Sequence, residues 1–209
     1  APPLTVPKAS IFLDSDNHQI GDYFTEERRY WTEYQDISPY LIDATVAVED
    51  KDFFDHGGFD YSRIAGAVLA DIKAGSKVQG ASTLTQQYAR NLYLTHEKTW
   101  TRKINEMLYA YRLELFYSKE EILEGYLNTV YYGHGMYGVE AASRYFFGKS
   151  AKDLTLSEAS MLAGVPKGPT YYSPLNNLEK ATNRQHIILR LMGEQGKITA
   201  DEKTRAEGE

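Results

Sequence analysis

Residues 38–60 read SPYLIDATVAVEDKDFFDHGGFD, and this stretch decides the fold. Ser38 is a favoured N-cap, and Pro39 suits the first position of a helix because its missing N–H needs no partner there. Apolar and β-branched residues then recur at helical spacing, at Leu41, Ile42, Thr45 and Val48. The spacing predicts a helix that ends at Glu49.

The polar end of this stretch is a candidate site. An acidic pair, Glu49 and Asp50, closes the helix, and His56 and two glycines come shortly after it. A carboxylate at a helix end can stand over a cleft, and flanking aromatic rings can desolvate it for acid–base chemistry. The residues alone leave open a plain polar helix end and turn. A metal site is disfavoured, because the chain has no HExxH and no paired-His spacing.

Helical signals dominate the rest of the chain. The spacing predicts a helix from Ser62 to about Gly75, and helices over 82–93, 99–117 and 181–192. Capping boxes predict three more helix starts, at Ser118 with Glu121, Thr155 with Glu158, and Thr199 with Glu202. Three glycines from 133 to 138 indicate a connector between helices. The weak alternation over 10–24 indicates a small hairpin, and the prolines of 1–9 indicate a linker or a truncation stump. We therefore predict a mainly α fold with an N-terminal β-hairpin.

The composition sets the class of protein. A chain of 209 residues suffices for one domain or for two lobes that share a core, and 42% hydrophobic with 25% charged residues is the balance of a globular protein. The absence of cysteine excludes disulfides, thiol nucleophiles and Cys-based zinc sites. The longest nearly apolar stretch, 64–69, is too short to span a bilayer, and no signal peptide opens the chain.

Charge is unevenly distributed along the chain. The net charge of −6 argues against a general nucleic-acid binder. Residues 1–62 hold thirteen acidic and four basic side chains, whereas residues 90–119 hold six basic and three acidic ones. A basic island in an acidic chain suggests a discrete anion site, and a solvated helix face with ion pairs is the alternative.

The segment GASTLTQQYARN, residues 80–91, offers groups for binding a sugar or a phosphate. Ser82 can cap a helix whose free N–H groups favour an anion. Gln87, Arg90 and Asn91 follow at i, i+3 and i+4, so their amide and guanidinium donors share one face. Because glutamines are also ordinary surface residues, this spacing alone is a weak signal.

Two more segments follow in the basic island. In RKINE, residues 102–106, the two cations lie on the same side of a helix as Glu106. This arrangement fits an anion site, and ordinary ion pairs along the helix are the alternative. In KEEILEGYLN, residues 119–128, a stripe of four apolar residues indicates a mostly structural helix (Ile122, Leu123, Tyr126 and Leu127).

In this order the four segments resemble the motifs of the peptidoglycan glycosyltransferases of family 51, the module of class A penicillin-binding proteins and of monofunctional transglycosylases. The family patterns E-D-x-x-F-x-x-H-x-G-x-D, G-x-S-T-x-x-Q-Q with a following basic residue and Asn, R-K-x-x-E, and K-x-x-I-L-x-x-Y-L-N are matched at 49–60, 80–91, 102–106 and 119–128. A fifth pattern, R-x-x-x-V-L, appears at 184–189 with Ile188 for Val. The resemblance covers roughly residues 10–200.

The resemblance implies a lysozyme-like, two-lobed helical domain over 10–209, with a larger head lobe and a smaller membrane-facing lobe. It implies an enzyme that polymerises lipid II into β-1,4-linked glycan with inversion and releases polyprenyl diphosphate. Glu49 is then the general base for the acceptor 4-hydroxyl. Glu106 is the second catalytic carboxylate, which orients the nearby cations and helps to place the donor.

The remaining implied roles concern binding. Arg90, Arg102 and Lys103 would stabilise the leaving diphosphate, which explains the basic island. The other implied substrate-binding residues line the groove: Asp50, Phe53, His56, Ser82, Thr83, Gln86, Gln87 and Asn91. No cofactor is implied as required. A divalent cation, Mg²⁺ or Mn²⁺, is implied at most to stimulate, and the sequence contains no dedicated metal cage.

The implied partners are lipid II, the growing glycan chain and the outer leaflet of the bacterial plasma membrane, with a C-terminal transpeptidase domain in a bifunctional parent and no nucleic acid. The expected location is the extracytoplasmic face of that membrane, with the anchor outside this sequence. Moenomycin is the expected inhibitor. The 27 aromatic residues, 13% of the chain, predict an aromatic patch that contacts sugars and the bilayer.

Two positions depart from the family pattern. Ala81 stands where Gly is frequent, and Arg90 stands where Lys is usual, which keeps the charge but replaces a point charge by a planar fork. Two other functions compete. A lysozyme-like hydrolase or lytic transglycosylase also uses two carboxylates but needs no cluster of cations. A non-catalytic lipid-binding module is disfavoured because Glu49 and Glu106 are both intact.

Overall fold

The computed structural model describes residues 31–56, 82–93 and 100–209. Eight α-helices lie within these ranges: α1 Pro39–Glu49, α2 Leu84–Tyr93, α3 Trp100–Phe116, α4 Lys119–Thr129, α5 Val139–Phe147, α6 Leu156–Ala163, α7 Leu178–Glu194 and α8 Ala200–Glu207. Two 3₁₀ turns, Tyr34–Asp36 and Ala151–Asp153, and one isolated bridge between Tyr131 and Tyr137 complete the regular structure there. The mainly α prediction is confirmed over these ranges.

Several predictions fall elsewhere in the chain. The hairpin over 10–24, the helix from Ser62 to Gly75 and Ala81 lie outside the described residues, as do the last four residues of the first motif. The lysozyme-like arrangement in two lobes stays a prediction.

Helix α1 is the central element of the described core. It begins at Pro39 and ends at Glu49, as predicted, and six of its eleven residues are buried. It packs against α6 and α7. Ser38 precedes it, but the Ser38 hydroxyl donates to the Leu154 carbonyl at 3.0 Å rather than capping α1. A helix held on several sides gives its C-terminal residue, Glu49, a fixed position.

The three predicted capping boxes are confirmed at the starts of α4, α6 and α8, because each depends on residues only three positions apart. Helix α7 is longer than the predicted 181–192. It starts at Leu178 because the Asn177 side chain caps it by accepting from the Lys180 N–H at 3.0 Å.

Helix α3 carries an apolar stripe that points away from the protein. Its buried residues are Glu106, Ala110 and Leu113. Trp100 is 79% exposed, and four apolar residues that follow it at helical spacing on the same face are each more than half exposed (Ile104, Leu108, Tyr111 and Leu115). Such a face is unusual for a monomeric soluble surface and marks an interaction site. None of the described helices is both long and apolar enough to cross a bilayer.

Helices α2 and α4 pack closely at one glycine. A Cβ built on Gly125 would overlap the ring and hydroxyl of Tyr88, a fully buried residue of α2. Gly125 therefore sets the distance between the helix that carries the second motif and the helix that carries the fourth. The predicted connector after α4 is confirmed, and Gly133, Gly135 and Gly138 all adopt positive φ there.

Candidate active site

The two carboxylates singled out by the sequence occupy different environments. Glu49 is half-buried at the end of α1, and its Oε2 accepts from Gln87 Nε2 at 3.4 Å. Glu106 is fully buried on α3, and its Oε1 accepts from Lys103 Nζ at 3.2 Å. Among the described residues, Glu106 Oε2 has no hydrogen-bond partner. Glu49 is therefore the carboxylate that a substrate can reach.

Asp50 joins the first motif to the second. Its carboxylate is buried, and Oδ2 accepts both from the Leu84 N–H at 3.1 Å and from His56 Nε2 at 2.7 Å. Phe53 is also buried, and its ring lies edge-on to the His56 ring, 6.0 Å between centroids. The observed contacts of Asp50 and Phe53 lie within the protein, and the prediction that they line the groove stays a prediction.

The start of α2 is capped by Thr83, whereas the sequence predicted Ser82 as the cap. Thr83 Oγ1 accepts from the Gln86 N–H at 3.2 Å, and Gln86 Oε1 accepts from the Thr83 N–H at 3.0 Å. The helix begins at Leu84, two residues after the start of the predicted range 82–93, so the reciprocal box forms with Gln86 at its third position. Both side chains are buried, and these observed bonds are internal.

Ser82 has another role, because it links α2 to α3. Its hydroxyl accepts from Lys103 Nζ at 2.5 Å, and the same ammonium donates to Glu106. Lys103 is about one-third exposed, whereas the Glu106 side chain is fully buried. An ammonium has three donors. Two of them are used here among the described residues, so the third can reach a ligand oxygen.

Gln87 connects the ion pair of Lys103 and Glu106, through Ser82, to Glu49. Its Nε2 donates to Glu49 Oε2 at 3.4 Å and to the Ser82 carbonyl at 3.5 Å. A continuous polar path therefore runs from Glu49 through Gln87 and Ser82 to Lys103 and Glu106. The structure thus brings residues of the first three motifs together at one place.

The remaining predicted binding residues differ in exposure. Arg90 and Arg102 are half-buried, and Asn91 is exposed. Burial raises the pKa of Tyr126 well above its usual value, and the charge of nearby Glu49 raises it further, whereas Arg90 opposes this. Burial and Glu49 likewise raise the pKa of Tyr132. These effects place Tyr126, Tyr132 and Arg90 in the electrostatic neighbourhood of the candidate base.

A second polar cluster, which the sequence did not predict, links the helices that carry the site. Glu114 Oε1 accepts from Lys119 Nζ and from Thr85 Oγ1, both at 2.7 Å. The Lys119 ammonium also lies 4.6 Å from the centroid of the Phe53 ring. This cluster ties α3 and α4 to α2 and to the turn after α1. No short-range spacing could have predicted it, because its members come from four separate segments.

The fourth motif also holds the segment before α1. Asn128 Oδ1 accepts from the Thr32 N–H at 2.7 Å, and its Nδ2 donates to the Thr32 carbonyl at 2.8 Å. Glu124 accepts from the Tyr34 N–H at 2.7 Å and from Trp31 Nε1 at 3.2 Å. The prediction that this motif is mostly structural agrees with these contacts and with its fully buried leucines.

The aromatic residues beside the motifs divide into two groups. Phe53, Tyr88, Tyr126 and Tyr132 are core residues, and Tyr93 is half-buried. Phe54, Tyr131 and Tyr137 are exposed. Some of these aromatic residues therefore belong to the ordinary hydrophobic core. Within the described ranges, the larger exposed apolar face is the stripe on α3, and most of its residues are aliphatic rather than aromatic.

In the described ranges, no group of three or more His, Asp or Glu side chains could hold a metal ion. The arrangement as a whole presents one reachable carboxylate next to a cluster of cationic and amide donors. Chemically, it can accept a proton on one side and stabilise a developing anion on the other.

Comparisons with known proteins bear on this arrangement. The family model described as Transglycosylase matches residues 16–193. Penicillin-binding protein 2D of Bacillus subtilis (strain 168) is 59% identical over 199 residues, which are 95% of this chain and 29% of that protein. Penicillin-binding protein 1F of the same organism is 44% identical over 98% of this chain and 29% of that protein. The chain thus spans less than a third of the length of these relatives.

One solved structure is also similar. The crystal structure of penicillin-binding protein 1A from Haemophilus influenzae is 31% identical, with a TM-score of 0.43, over 60% of this chain and 16% of that one.

Proposed function

Because this chain belongs to the transglycosylase family, we propose that it polymerises lipid II into β-1,4-linked glycan strands. Its enzyme class is that of a peptidoglycan glycosyltransferase. The observation that carries the proposal is the polar path from Glu49 to Glu106, since it joins a reachable carboxylate to a cationic cluster.

In the proposed reaction, Glu49 takes the proton of the acceptor 4-hydroxyl. The hydroxyl oxygen attacks the anomeric carbon of the growing chain with inversion, and the bond to the polyprenyl diphosphate breaks. The leaving group departs as a diphosphate anion, so it needs electrostatic stabilisation rather than a strong acid. Lys103, with Arg90 and Arg102, supplies positive charge for that anion.

Glu106 acts on the reaction through Lys103. A fully buried carboxylate 3.2 Å from the ammonium holds it in one position, and Ser82 holds the same ammonium from the side of α2. Pre-positioned charge stabilises a transition state without the cost of reorganisation at the moment of reaction. The proposal therefore separates the two carboxylates into a base, Glu49, and a positioning group, Glu106.

The exposed stripe of α3 supports a membrane role for the same helix that carries Lys103 and Glu106. We propose that Trp100 and the apolar residues on its face rest on the outer leaflet, where the lipid of the substrate lies. Aromatic and aliphatic side chains at such an interface gain from apolar contact while the polar face stays with the protein. The growing glycan, lipid II and a transpeptidase domain in the parent protein are the proposed partners.

The first test is polymerisation of labelled lipid II by Glu49→Gln, with Asp55→Asn as the matched control. Asp55 is an exposed carboxylate on the turn that follows the same helix. We expect the fold and the melting temperature of Glu49→Gln to be kept and its polymerisation to be abolished, whereas the control stays active. Near wild-type polymerisation by Glu49→Gln would exclude it as the base.

The second test separates a catalytic cation from a structural ion pair. Lys103→Ala should lose most of its rate with little loss of stability, whereas Arg112→Ala, an exposed cation on the same helix, should lose neither. A collapse of the melting temperature in Lys103→Ala would instead assign the residue to the fold. A parallel assay with finished glycan tests for hydrolysis. Assays with EDTA, or with added Mg²⁺ or Mn²⁺, test for metal stimulation, and an assay with moenomycin tests for inhibition.

A further inference from the structure

Gln87 can form its contacts in one orientation of its amide. The two groups near Nε2, Glu49 Oε2 and the Ser82 carbonyl, are both acceptors, so the NH₂ must face them. The amide oxygen then faces the other way, toward the hydroxyl of Tyr126. Tyr126 Oη donates to Gln87 Oε1 at 3.4 Å. Reversing the amide would set its oxygen against the Glu49 carboxylate and the Ser82 carbonyl, which are both acceptors.

Tyr126 is suited to hold this orientation. It lies on α4, is 2% exposed, and belongs to a helix fixed by a complete capping box and by Asn128. Burial, together with the nearby charge of Glu49, raises the pKa of the Tyr126 phenol well above its usual value, and this favours the protonated hydroxyl, which can donate. From the sequence alone, Tyr126 was predicted only as part of a buried apolar stripe.

We propose that Tyr126 is a positioning residue for the proposed base: its hydroxyl fixes the amide of Gln87, and Gln87 in turn fixes the carboxylate of Glu49. This inference rests on the proposed function, because it assigns a step to Glu49. It predicts that the hydroxyl affects the chemical step rather than substrate binding. Both contacts measure 3.4 Å, and hydrogen bonds at active sites commonly tighten in the complex with substrate.

The test compares Tyr126→Phe with Tyr88→Phe in lipid II polymerisation. Both are buried tyrosines on the two facing helices α4 and α2, and both variants lose only an oxygen. The Tyr88 hydroxyl has no hydrogen-bond partner among the described residues and lies outside the polar path. Assays are run well below the lower of the two melting temperatures, so that unfolding does not contribute to the measured rates.

We expect Tyr126→Phe to lower kcat about 3- to 10-fold, the rate equivalent of one net hydrogen bond, with KM unchanged. Tyr88→Phe should leave both constants near wild type. Equal kcat losses in the two variants, or a change confined to KM, would overturn the inference. If the wild-type protein itself fails to polymerise lipid II, the proposed function fails first, so the two failures are distinguishable.

A double-mutant cycle tests whether Tyr126 acts through Gln87. Gln87→Met removes the amide and keeps a side chain of similar length, and we expect it to lower kcat at least as much as Tyr126→Phe. Added to Gln87→Met, Tyr126→Phe should then lower kcat less than 2-fold, because residues in one hydrogen-bond chain are not additive. Fully multiplicative losses would show that Tyr126 does not act through Gln87, and would overturn the proposal even if Tyr126→Phe alone were slow.

Discussion

The contact between Gly125 and Tyr88 makes a strong prediction, because two effects of opposite sign meet there. Gly125 lies inside α4, where replacing glycine by alanine normally stabilises a helix by about 1 kcal/mol. The added Cβ, however, would overlap Cζ and Oη of Tyr88 and would lie 2.5 Å from its Cε2. Gly125→Ala therefore sets helix propensity against packing.

The packing term should win. The Tyr88 ring is fully buried between helices, so it cannot swing into solvent to make room. Overpacking of a dense core costs about 1–3 kcal/mol or more, and an overlap this deep belongs at or above the upper end. After subtraction of the gain in helix propensity, we expect a net loss of about 2 kcal/mol or more in the free energy of unfolding. For a chain of this size the melting temperature should fall by at least about 4–8 °C.

The assay is thermal and urea unfolding followed by circular dichroism, with Gly193→Ala as the matched control. Gly193 also lies in a helix, but the nearest neighbour of its added Cβ is the Lys203 side chain at 4.0 Å. That variant should be unchanged or more stable, by up to about 1 kcal/mol. Gly125→Ala combined with Tyr88→Leu should recover part of the loss, because the ring that is struck is absent.

Polymerisation should fall together with stability in Gly125→Ala. Tyr88 follows Gln87 directly on α2, so moving the ring moves the helix that carries the polar path. If Gly125→Ala melts at or above the wild-type temperature, the close approach of α2 and α4 is not what requires a glycine. Equal losses of stability in Gly125→Ala and Gly193→Ala would show that the loss does not come from the contact with Tyr88.

Two further predictions concern ion pairs outside the polar path. Lys119→Met leaves the largely buried Glu114 carboxylate without its cation, so the free energy of unfolding, measured with urea, should fall by about 1–3 kcal/mol. The double variant Lys119→Met with Glu114→Leu should recover most of this loss. An unchanged stability of Lys119→Met would contradict the reasoning. Burial raises the pKa of Glu158, but hydrogen bonds from Lys149 and Thr155 outweigh it and leave that pKa below the usual 4.5. A carboxyl with a lowered folded-state pKa adds stability above 4.5 that is lost as the pH falls through the folded value. Lys149→Met should therefore cost about 0.5 kcal/mol at pH 7 and progressively less as the pH falls below 4.5. A difference in melting temperature that stays constant as the pH falls would contradict this reasoning.

The candidate site could be predicted from the sequence to different extents at different residues. Glu49, Lys103 and Glu106 were identified by residue type and order, and the structure brings Lys103 and Glu106 into contact. Asp50 was identified as polar and near the site, but its link to the Leu84 N–H spans 34 positions and has no local signature. Tyr126 looked like core alone, since its one polar atom reaches a partner on another helix.

The sequence by itself determined the local features of this protein. Capping boxes, the Pro39 start and the glycines after α4 were all predicted correctly, because each depends on residues a few positions apart and on backbone sterics. The order of the motifs likewise determined the family. These features would hold in any packing of the same helices.

Only the tertiary structure decided which faces meet. Periodicity placed the apolar residues of α3 on one stripe, but that stripe faces outward while Glu106 faces the core, where Lys103 compensates its charge. Periodicity reports that a face exists and not what covers it. The same reason explains why Thr83 displaced Ser82 as the cap: Ser82 is bound to a lysine 21 positions away, a contact that exists only after α2 and α3 have packed.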